Sequence, residues 1–269
     1  MSARHYAVCL RGILVREVLR FLQQRERFAA ALVRPLLWLL VFGAGFRTAL
    51  GVAIIPPYQT DIPYETYVLP GLIAMIQLFN GMQSSLSMVY DREMGSMRIL
   101  LVTPLPRWWL LTCRLAASTL VSIVQVYVFL AIARACGIAA PPWGYLSVLP
   151  ALVVCGLMLG ALGLFLSTAV RQLENFAGVM NFVIFPAFFL SSALYPLSQM
   201  RDSSPLLWQV CQVNPFTHAV ELIRFALYGR LEPEAFAWVV LTLAVALALA
   251  LRGYSPARGI SPTRAGGGD

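Results

Sequence analysis

Six long apolar stretches constrain this chain more than any other feature of its sequence. They cover roughly residues 29–50, 67–89, 108–133, 146–170, 176–196 and 235–252. A helix that crosses a bilayer needs about 20 mostly apolar residues, and each stretch is close to that length. Only 12% of the 269 residues are charged, whereas soluble domains carry about 25%. The sequence therefore predicts an all-α polytopic membrane protein with six transmembrane helices, and it excludes a soluble globular enzyme.

The distribution of Arg predicts the orientation of these spans. With six spans, fourteen Arg fall on the side of the two termini and five on the other side, while Arg34 lies inside the first span. Basic residues concentrate in cytoplasmic loops, so both termini are predicted to be cytoplasmic in a bacterial inner membrane. The division is a cytoplasmic arm at 1–28, a single transmembrane domain at 29–252 and a cytoplasmic tail at 253–269. The net charge of +8 then reflects topology and not nucleic-acid binding.

All twenty basic residues are Arg, and the sequence contains no Lys. A P-loop needs a Lys beside the β- and γ-phosphates of its nucleotide. The chain therefore lacks a Walker A site and is expected to bind no cofactor itself. No motif of a metalloprotease or a serine hydrolase occurs.

The arm contains a predicted amphipathic helix at residues 10–28. Its apolar face carries Leu10, Leu14, Val18 and Phe21, and its basic face carries Arg16, Arg20 and Arg27. Such a helix is typical of the membrane interface. A solvated arm is the alternative.

The second cytoplasmic loop predicts another short helix, at residues 91–103. Asp91 is expected to cap it, Glu93 favours its first turn, and Pro104 ends it. Apolar residues recur on one face at helical spacing: Met94, Met97, Leu100 and Leu101. This face either packs on the chain's own membrane helices or binds a partner.

The external segment between spans five and six is too long for a simple connection. Pro205 and Pro215 break its apolar runs, and residues 213–231 are predicted to be helical. An external re-entrant hairpin at 197–231 fits better than two further spans. Glu221 and Arg224 can pair across one helical turn.

Polar residues within the spans are candidates for contact with a cargo. Gln77, Asn80, Ser84 and Ser87 follow one another along span two, and Asn181 lies in span five. Such groups face protein or water and not lipid, so the alternatives are hydrogen bonds between helices and a cavity wall. The sequence Gly156-x-x-x-Gly160 in span four permits close helix packing, by default within the chain.

The five Cys show no metal-ligand spacing and are predicted to be free thiols. A disulfide between Cys136 and Cys211 stays open, because both could face the outside.

Three segments resemble the membrane subunits of type-2 ATP-binding-cassette exporters. They are residues 67–72 (YVLPGL), 91–105 (DREMGSMRILLVTPL) and 214–224 (NPFTHAVELIR). The second is similar to the family's R-E-x-G-[ST]-x-x-x-L-L-x-[ST]-P loop, and the third to its N-P-[LF]-[ST]-x-x-[VI]-[ED]-x-x-R segment. The likeness covers nearly the whole chain and is strongest to daunorubicin-type multidrug permeases, with similarity to nodulation-factor exporters as well.

This resemblance implies a permease subunit, not an enzyme, that exports an amphiphilic, lipid-like or drug-like cargo. It implies two copies of a separate ATPase subunit, which would bind ATP-Mg, and a second permease subunit, most simply in a homodimer surrounded by membrane lipids. The segment 91–103 would be the coupling helix that contacts the ATPase. Its implied coupling residues are Asp91, Arg92, Glu93, Met94, Gly95, Met97, Arg98, Leu100, Leu101 and Pro104. The external re-entrant motif would include Asn214, Pro215, Glu221 and Arg224.

Two other functions remain open from the residues alone. A polytopic membrane enzyme acting on lipid or sugar is suggested by the external acidic and basic residues Glu221, Arg224, Glu232 and Glu234. A structural membrane subunit without a transport path is the other alternative, and a dry interface along Gln77, Asn80 and Ser84 would favour it.

Overall fold

A computed structural model of the chain describes residues 3–23, 32–41, 57–58, 62–93, 106–170 and 172–253. The secondary structure of these residues is built from helices, which confirms the predicted all-α class for this part of the chain. The helices are α1 (Ala3–Gln23), α2 (Leu32–Val41), α3 (Tyr64–Glu93), α4 (Arg107–Ala135), α5 (Gly144–Ala169), α6 (Leu173–Phe189), α7 (Leu197–Ser203), α8 (Pro205–Val213), α9 (Pro215–Leu227) and α10 (Pro233–Gly253).

Four of these helices are long and apolar enough to cross a membrane. The qualifying segments are Tyr64–Tyr90 in α3, Trp108–Ala135 in α4, Gly144–Ala169 in α5 and Pro233–Gly253 in α10. Each agrees with a predicted span to within a few residues at both ends. The other two predicted spans coincide with the shorter apolar helices α2 and α6, so the total of six stays a prediction.

The helix of predicted span five ends earlier than expected. Residues 190–196, which the prediction included in the span, form a turn after Phe189. The last carbonyls of a helix have no partner within it. Here the Asn214 side-chain amide donates to the Ala187 carbonyl at 2.8 Å and to the Leu190 carbonyl at 2.6 Å. A distant side chain therefore stabilises the early end of α6.

The helix α5 lies at the centre of the bundle and contacts α3, α4, α9 and α10. Its glycines allow the backbone of α3 to approach closely. A Cβ atom added to Gly81 of α3 would lie only 2.8 Å from the Cα of Gly160 in α5, and one added to Gly163 would lie 2.9 Å from the Gly81 carbonyl oxygen. The small residues of span four thus serve packing within the chain, as predicted.

The N-terminal helix α1 packs along the start of α4. The Trp109 indole N–H donates to the Tyr6 carbonyl at 3.3 Å, and the two rings meet edge to face with their centroids 5.3 Å apart. The predicted apolar stripe is half-buried at Leu10, Leu14 and Val18. Residues 10–23 of the predicted segment are therefore helical, and the basic Arg16 is exposed. The position of this helix at the membrane interface stays a prediction.

A second apolar stripe on α1 was missed by the prediction. Val8, Val15 and Leu19 are 64%, 48% and 52% exposed. Both sides of α1 carry apolar residues, so one stripe packs on α4 while the other is exposed among the described residues. Residues 24–28 and the side chains of Arg20 and Phe21 lie outside the described part of the structure.

The external segment forms three consecutive helices, α7, α8 and α9, with breaks at Pro205 and Pro215 as predicted. The last of them begins at Pro215 and ends at Leu227, earlier than the expected end at residue 231. Gly229, whose φ of 68° favours glycine, forms the turn that ends it. The helix α9 contacts α3, α5 and α10, so this part of the segment is integrated into the bundle.

All five Cys lie within the described residues, and all are free thiols. Cys136 is exposed and Cys211 is buried. The disulfide that the sequence left open is therefore not formed.

Candidate functional site

Two polar side chains of α3 donate hydrogen bonds to neighbouring helices. The Gln77 side-chain amide donates to the Leu152 carbonyl of α5 at 2.7 Å, and the Asn80 amide donates to the Gln125 side-chain oxygen of α4. These are the interhelical hydrogen bonds that were one of the two interpretations of the stripe. Contact between the stripe and a cargo stays a prediction.

A small cavity lies beside Ser84, toward the C-terminal end of α3. The Arg114 guanidinium of α4 donates to the Ser87 hydroxyl at 2.8 Å, and Ser87 in turn donates to the Ser84 carbonyl at 2.7 Å. The cavity of about 10 Å³ is lined by Ser84, Arg114 and Ser118 among others, and this size accommodates about one water molecule. Sequence analysis missed Arg114 and Gln125 because both lie in another helix.

Replacement of Gln77 by Leu is expected to lower the free energy of unfolding by about 0.6 kcal/mol, the mean for hydrogen bonds between membrane helices. Leu has a similar size, but it leaves the contact with the Leu152 carbonyl unmade. The matched control is Gln83→Leu, because Gln83 lies on α3 and is exposed. Thermal unfolding in detergent compares the two variants, and an equal loss in both would contradict the assigned role of Gln77.

Asn181, the other cargo candidate, is exposed on α6 next to Phe182, which is 79% exposed. Phe185 continues the same exposed face and is 40% exposed. Asn181 is therefore separated from the buried contacts of α3, and the structure does not bring all five cargo candidates together.

The predicted coupling segment follows directly from α3. The backbone of 91–93 continues this helix without a break, so the expectation that Asp91 caps a separate helix is wrong. The side chains of Asp91, Arg92 and Glu93 lie outside the described part. So do the remaining coupling residues, which are Met94, Gly95, Met97, Arg98, Leu100, Leu101 and Pro104.

Two exposed aromatic residues flank this segment. Tyr90 is 45% exposed near the end of α3, and Trp108 is 50% exposed at the start of α4. The adjacent Trp109 holds α1 through Tyr6. The N-terminal helix and the two ends of the predicted coupling segment therefore lie at the same end of the bundle.

At the opposite end of the bundle, Asn214 joins the end of α6 to the start of α9. Its side-chain oxygen accepts a hydrogen bond from the Phe216 backbone N–H at 3.0 Å, which caps α9. Pro215 occupies the first turn, where its missing N–H costs nothing. Since the Asn214 amide also bonds to the last carbonyls of α6, this one residue links the two helix ends.

Arg224 is the most buried charged residue in the described part of the chain, with 3% of its surface exposed. It pairs with Glu221 one turn earlier, as the sequence predicted. Its guanidinium also donates to the Ser192 carbonyl at 2.8 Å and lies 4.2 Å from the centre of the Tyr67 ring. Glu221 forms an ion pair with Arg224 and is not a free carboxylate. The site therefore offers little support for an enzyme that uses the external acidic residues in catalysis.

The Arg224 cluster consists of Arg224, Glu221, Tyr67 and Ser192. It joins α9, α3 and the turn after α6, since the Tyr67 hydroxyl donates to the same Ser192 carbonyl at 2.9 Å. Tyr67 belongs to the YVLPGL segment at residues 67–72, but the sequence indicates no role for it. The contact partners are 125 positions apart in the chain, so local spacing contains no signal for them.

Tyr58 and Tyr228 lie beside the Arg224 cluster, and their rings meet edge to face with centroids 5.0 Å apart. Burial raises the pKa of Tyr58 to about 12, although the positive charge of Arg224 acts in the opposite direction. Burial also raises the pKa of Tyr228. Both phenols therefore stay protonated and neutral near physiological pH.

The sequence profile of the family described as ABC-2 type transporter matches residues 9–228. This range contains most of α1, the predicted coupling segment, the polar stripe of α3 and the external motif up to Arg224. The match therefore includes both ends of the bundle.

Individual relatives agree with this match. The chain is 29% identical over 218 residues to a Cyanophora paradoxa protein named as transport permease ycf38, covering 76% of this chain and 70% of the relative. It is 32% identical over 174 residues to an Escherichia coli (strain K12) protein named as multidrug ABC transporter permease YbhR, covering 62% of this chain and 45% of that protein. Nodulation protein J of Rhizobium leguminosarum bv. viciae is 24% identical over 209 residues, covering 74% of each chain.

Proposed function

This chain belongs to the ABC-2 type transporter family and is a transport permease subunit, and from this premise we propose that it exports an amphiphilic cargo across the bacterial inner membrane. Both termini would be cytoplasmic, and the cargo would move outward. The observation that carries the proposal is the family match over 9–228, because this range includes the predicted coupling segment as well as the membrane helices.

A separate ATPase subunit would supply the energy. The chain contains no Lys, so a P-loop of the usual kind is absent from it. Two ATPase copies would bind ATP-Mg and dock against the cytoplasmic end of the bundle. The proposed contact is the coupling segment 91–103, with α1 lying beside it at the membrane interface. The packing of α1 on Trp109 supports this arrangement, because Trp109 lies in the first turn of α4, directly after the proposed coupling segment.

A second permease copy would complete the transport path. The proposed dimer encloses a cavity between its subunits, and the external hairpin 197–231 would close the exit. The face of α6 that carries Asn181 and Phe182 is exposed in the single chain. Because an exposed amide within a bilayer is costly, this face supports a contact with the second copy. The cargo class is suggested by the relative named as a multidrug permease.

Recovery of the complex tests this proposal. The affinity-tagged chain is co-expressed with the ATPase encoded beside it, extracted in mild detergent and assayed for bound ATPase and ATP turnover. We expect the ATPase to be recovered with the tagged chain, and ATP turnover to be present in the purified complex. Recovery of the chain alone, with no turnover on adding the ATPase, would contradict the proposal. An unrelated tagged six-span protein is the control for nonspecific recovery.

A further inference from the structure

Arg34 is a charged residue in an unusual position in this chain. It lies in α2 and is exposed, and its guanidinium carbon lies 4.0 Å from the centre of the Phe79 ring in α3. Arg34 falls inside the first predicted span, and the long side chain of Arg can reach from a span toward the headgroups. The contact with Phe79 directs it to the middle of α3 instead.

The depth of this contact follows from the helix geometry. Phe79 comes fifteen residues after Tyr64 and fourteen before Glu93, the two ends of α3. At a rise of 1.5 Å per residue, the guanidinium therefore lies about 21 Å from either end of the helix. The hydrocarbon core of a bilayer is about 30 Å thick, so the charge is located near its centre.

A charge at this depth needs a partner of opposite sign. Charged residues inside membranes pair or mark substrate pathways, yet within the described residues the Arg34 guanidinium has no hydrogen bond or ion pair and lies over the Phe79 ring. None of the twelve acidic residues of the sequence falls within a predicted span. A second copy of this chain therefore offers no carboxylate from its predicted spans at this depth, which directs the search for a partner to an anion from outside the chain.

The surroundings of Arg34 fit an anionic amphiphile. On α3, Gln83 lies one turn from Phe79 on the same side and is exposed, so its amide can donate to the same anion. On α2, Leu37 and Val41 lie on the same helical face as Arg34 and are 54% and 63% exposed. The patch thus combines two hydrogen-bond donors with an apolar surface that extends away from them.

We propose that the Arg34 patch, formed by Arg34, Phe79 and Gln83, binds the carboxylate or phosphate group of the exported cargo. The apolar face of α2 would contact the hydrocarbon part of the same molecule. The planar guanidinium can bind either group through two parallel hydrogen bonds. This inference rests on the proposed export function and adds a substrate class to it, namely anionic amphiphiles.

A matched pair of probes tests the charge preference. The full-length chain in phosphatidylcholine nanodiscs is titrated with dansyl-aminoundecanoic acid and with its uncharged methyl ester, and binding is followed by fluorescence. We expect the acid to bind about tenfold more tightly than the ester. In Arg34→Gln the preference should disappear, with the ester affinity unchanged. Equal affinities of the original chain for both probes would overturn the proposal.

Two further variants keep the test decisive. Gln83→Leu retains Arg34 and should weaken binding of the acid about threefold, and no effect would overturn the assignment even if Arg34→Gln failed to fold. The control is Arg252→Gln, because Arg252 is an exposed Arg at the end of α10. If this control lost the preference equally, general electrostatic attraction would explain the binding and the patch would not.

Membrane lipid is the alternative source of the anion. Nanodiscs containing phosphatidylglycerol distinguish the two sources, since the preference for the acid should persist there if the patch is a cargo site. Abolition of acid binding by phosphatidylglycerol would overturn the cargo assignment. The binding measurement needs no ATPase, and Arg34→Gln should still be recovered with the ATPase. Failure of the patch and failure of the export function are therefore separable.

Discussion

Replacement of Arg224 by Met is expected to destabilise the chain by about 3 kcal/mol, since removal of one partner of a buried ion pair leaves the other charge uncompensated. The change removes the pair with Glu221 and the hydrogen bond to Ser192, so α9 loses its attachment to the turn after α6. The apparent melting temperature in detergent should fall by about 10 °C. Protease sensitivity should rise between α6 and α9.

Arg201→Met is the matched control for this prediction. Arg201 belongs to the same external segment, is exposed, and lies 5.4 Å from the centre of the Trp208 ring. An exposed contact of this kind contributes about 0.5–1 kcal/mol, so the expected loss is several times smaller. Equal losses of stability in the two variants would show that the buried Arg224 stabilises the chain no more than an exposed Arg does.

The double variant Arg224→Met with Glu221→Leu separates the cost of a lone charge from the value of the pair. Two apolar residues in place of a buried ion pair are often tolerated, so the double variant should be more stable than Arg224→Met alone. If it were less stable, the pair itself and not the uncompensated carboxylate would be the dominant contribution.

Four of the membrane helices could be predicted from the sequence because their signal is local. A run of about 20 apolar residues implies a span whatever it packs against, and α3, α4, α5 and α10 all contain such a run. The breaks at Pro205 and Pro215 were also predictable, since proline removes a backbone donor from a helix interior. The pair of Glu221 with Arg224 follows from helical spacing in the same way.

Contacts between distant residues could not be predicted. The early end of α6 depends on Asn214, which caps it from another helix. The position of Arg34 depends on Phe79, and no periodicity within span one indicates that ring. In both cases the local pattern correctly predicted a helix. The residue that determines the end of α6, or the position of the Arg34 side chain, lies elsewhere in the chain.

The variant Glu93→Ala is expected to uncouple ATP hydrolysis from movement of the membrane domain. Glu93 ends α3 and belongs to the proposed coupling segment, so its loss should weaken transmission from the ATPase while leaving assembly intact. A fluorophore on Cys136, the exposed thiol in the turn after α4, reports the opposite end of the bundle. Its ATP-dependent signal should fall at least about fivefold, as expected for the loss of a typical coupling free energy.

Glu234→Ala provides the comparison that decides this prediction. Glu234 is exposed in the first turn of α10, and this turn lies at the other end of the bundle from Glu93. The same change at Glu234 should therefore leave the ATP-dependent signal at Cys136 intact. ATP turnover and ATPase recovery should be similar in both variants, because neither change removes the proposed docking surface. An unchanged signal in Glu93→Ala would mean that this end of α3 only packs against its neighbours and transmits nothing. Loss of ATPase recovery in Glu93→Ala would instead make Glu93 a docking residue, which also contradicts a role in coupling alone.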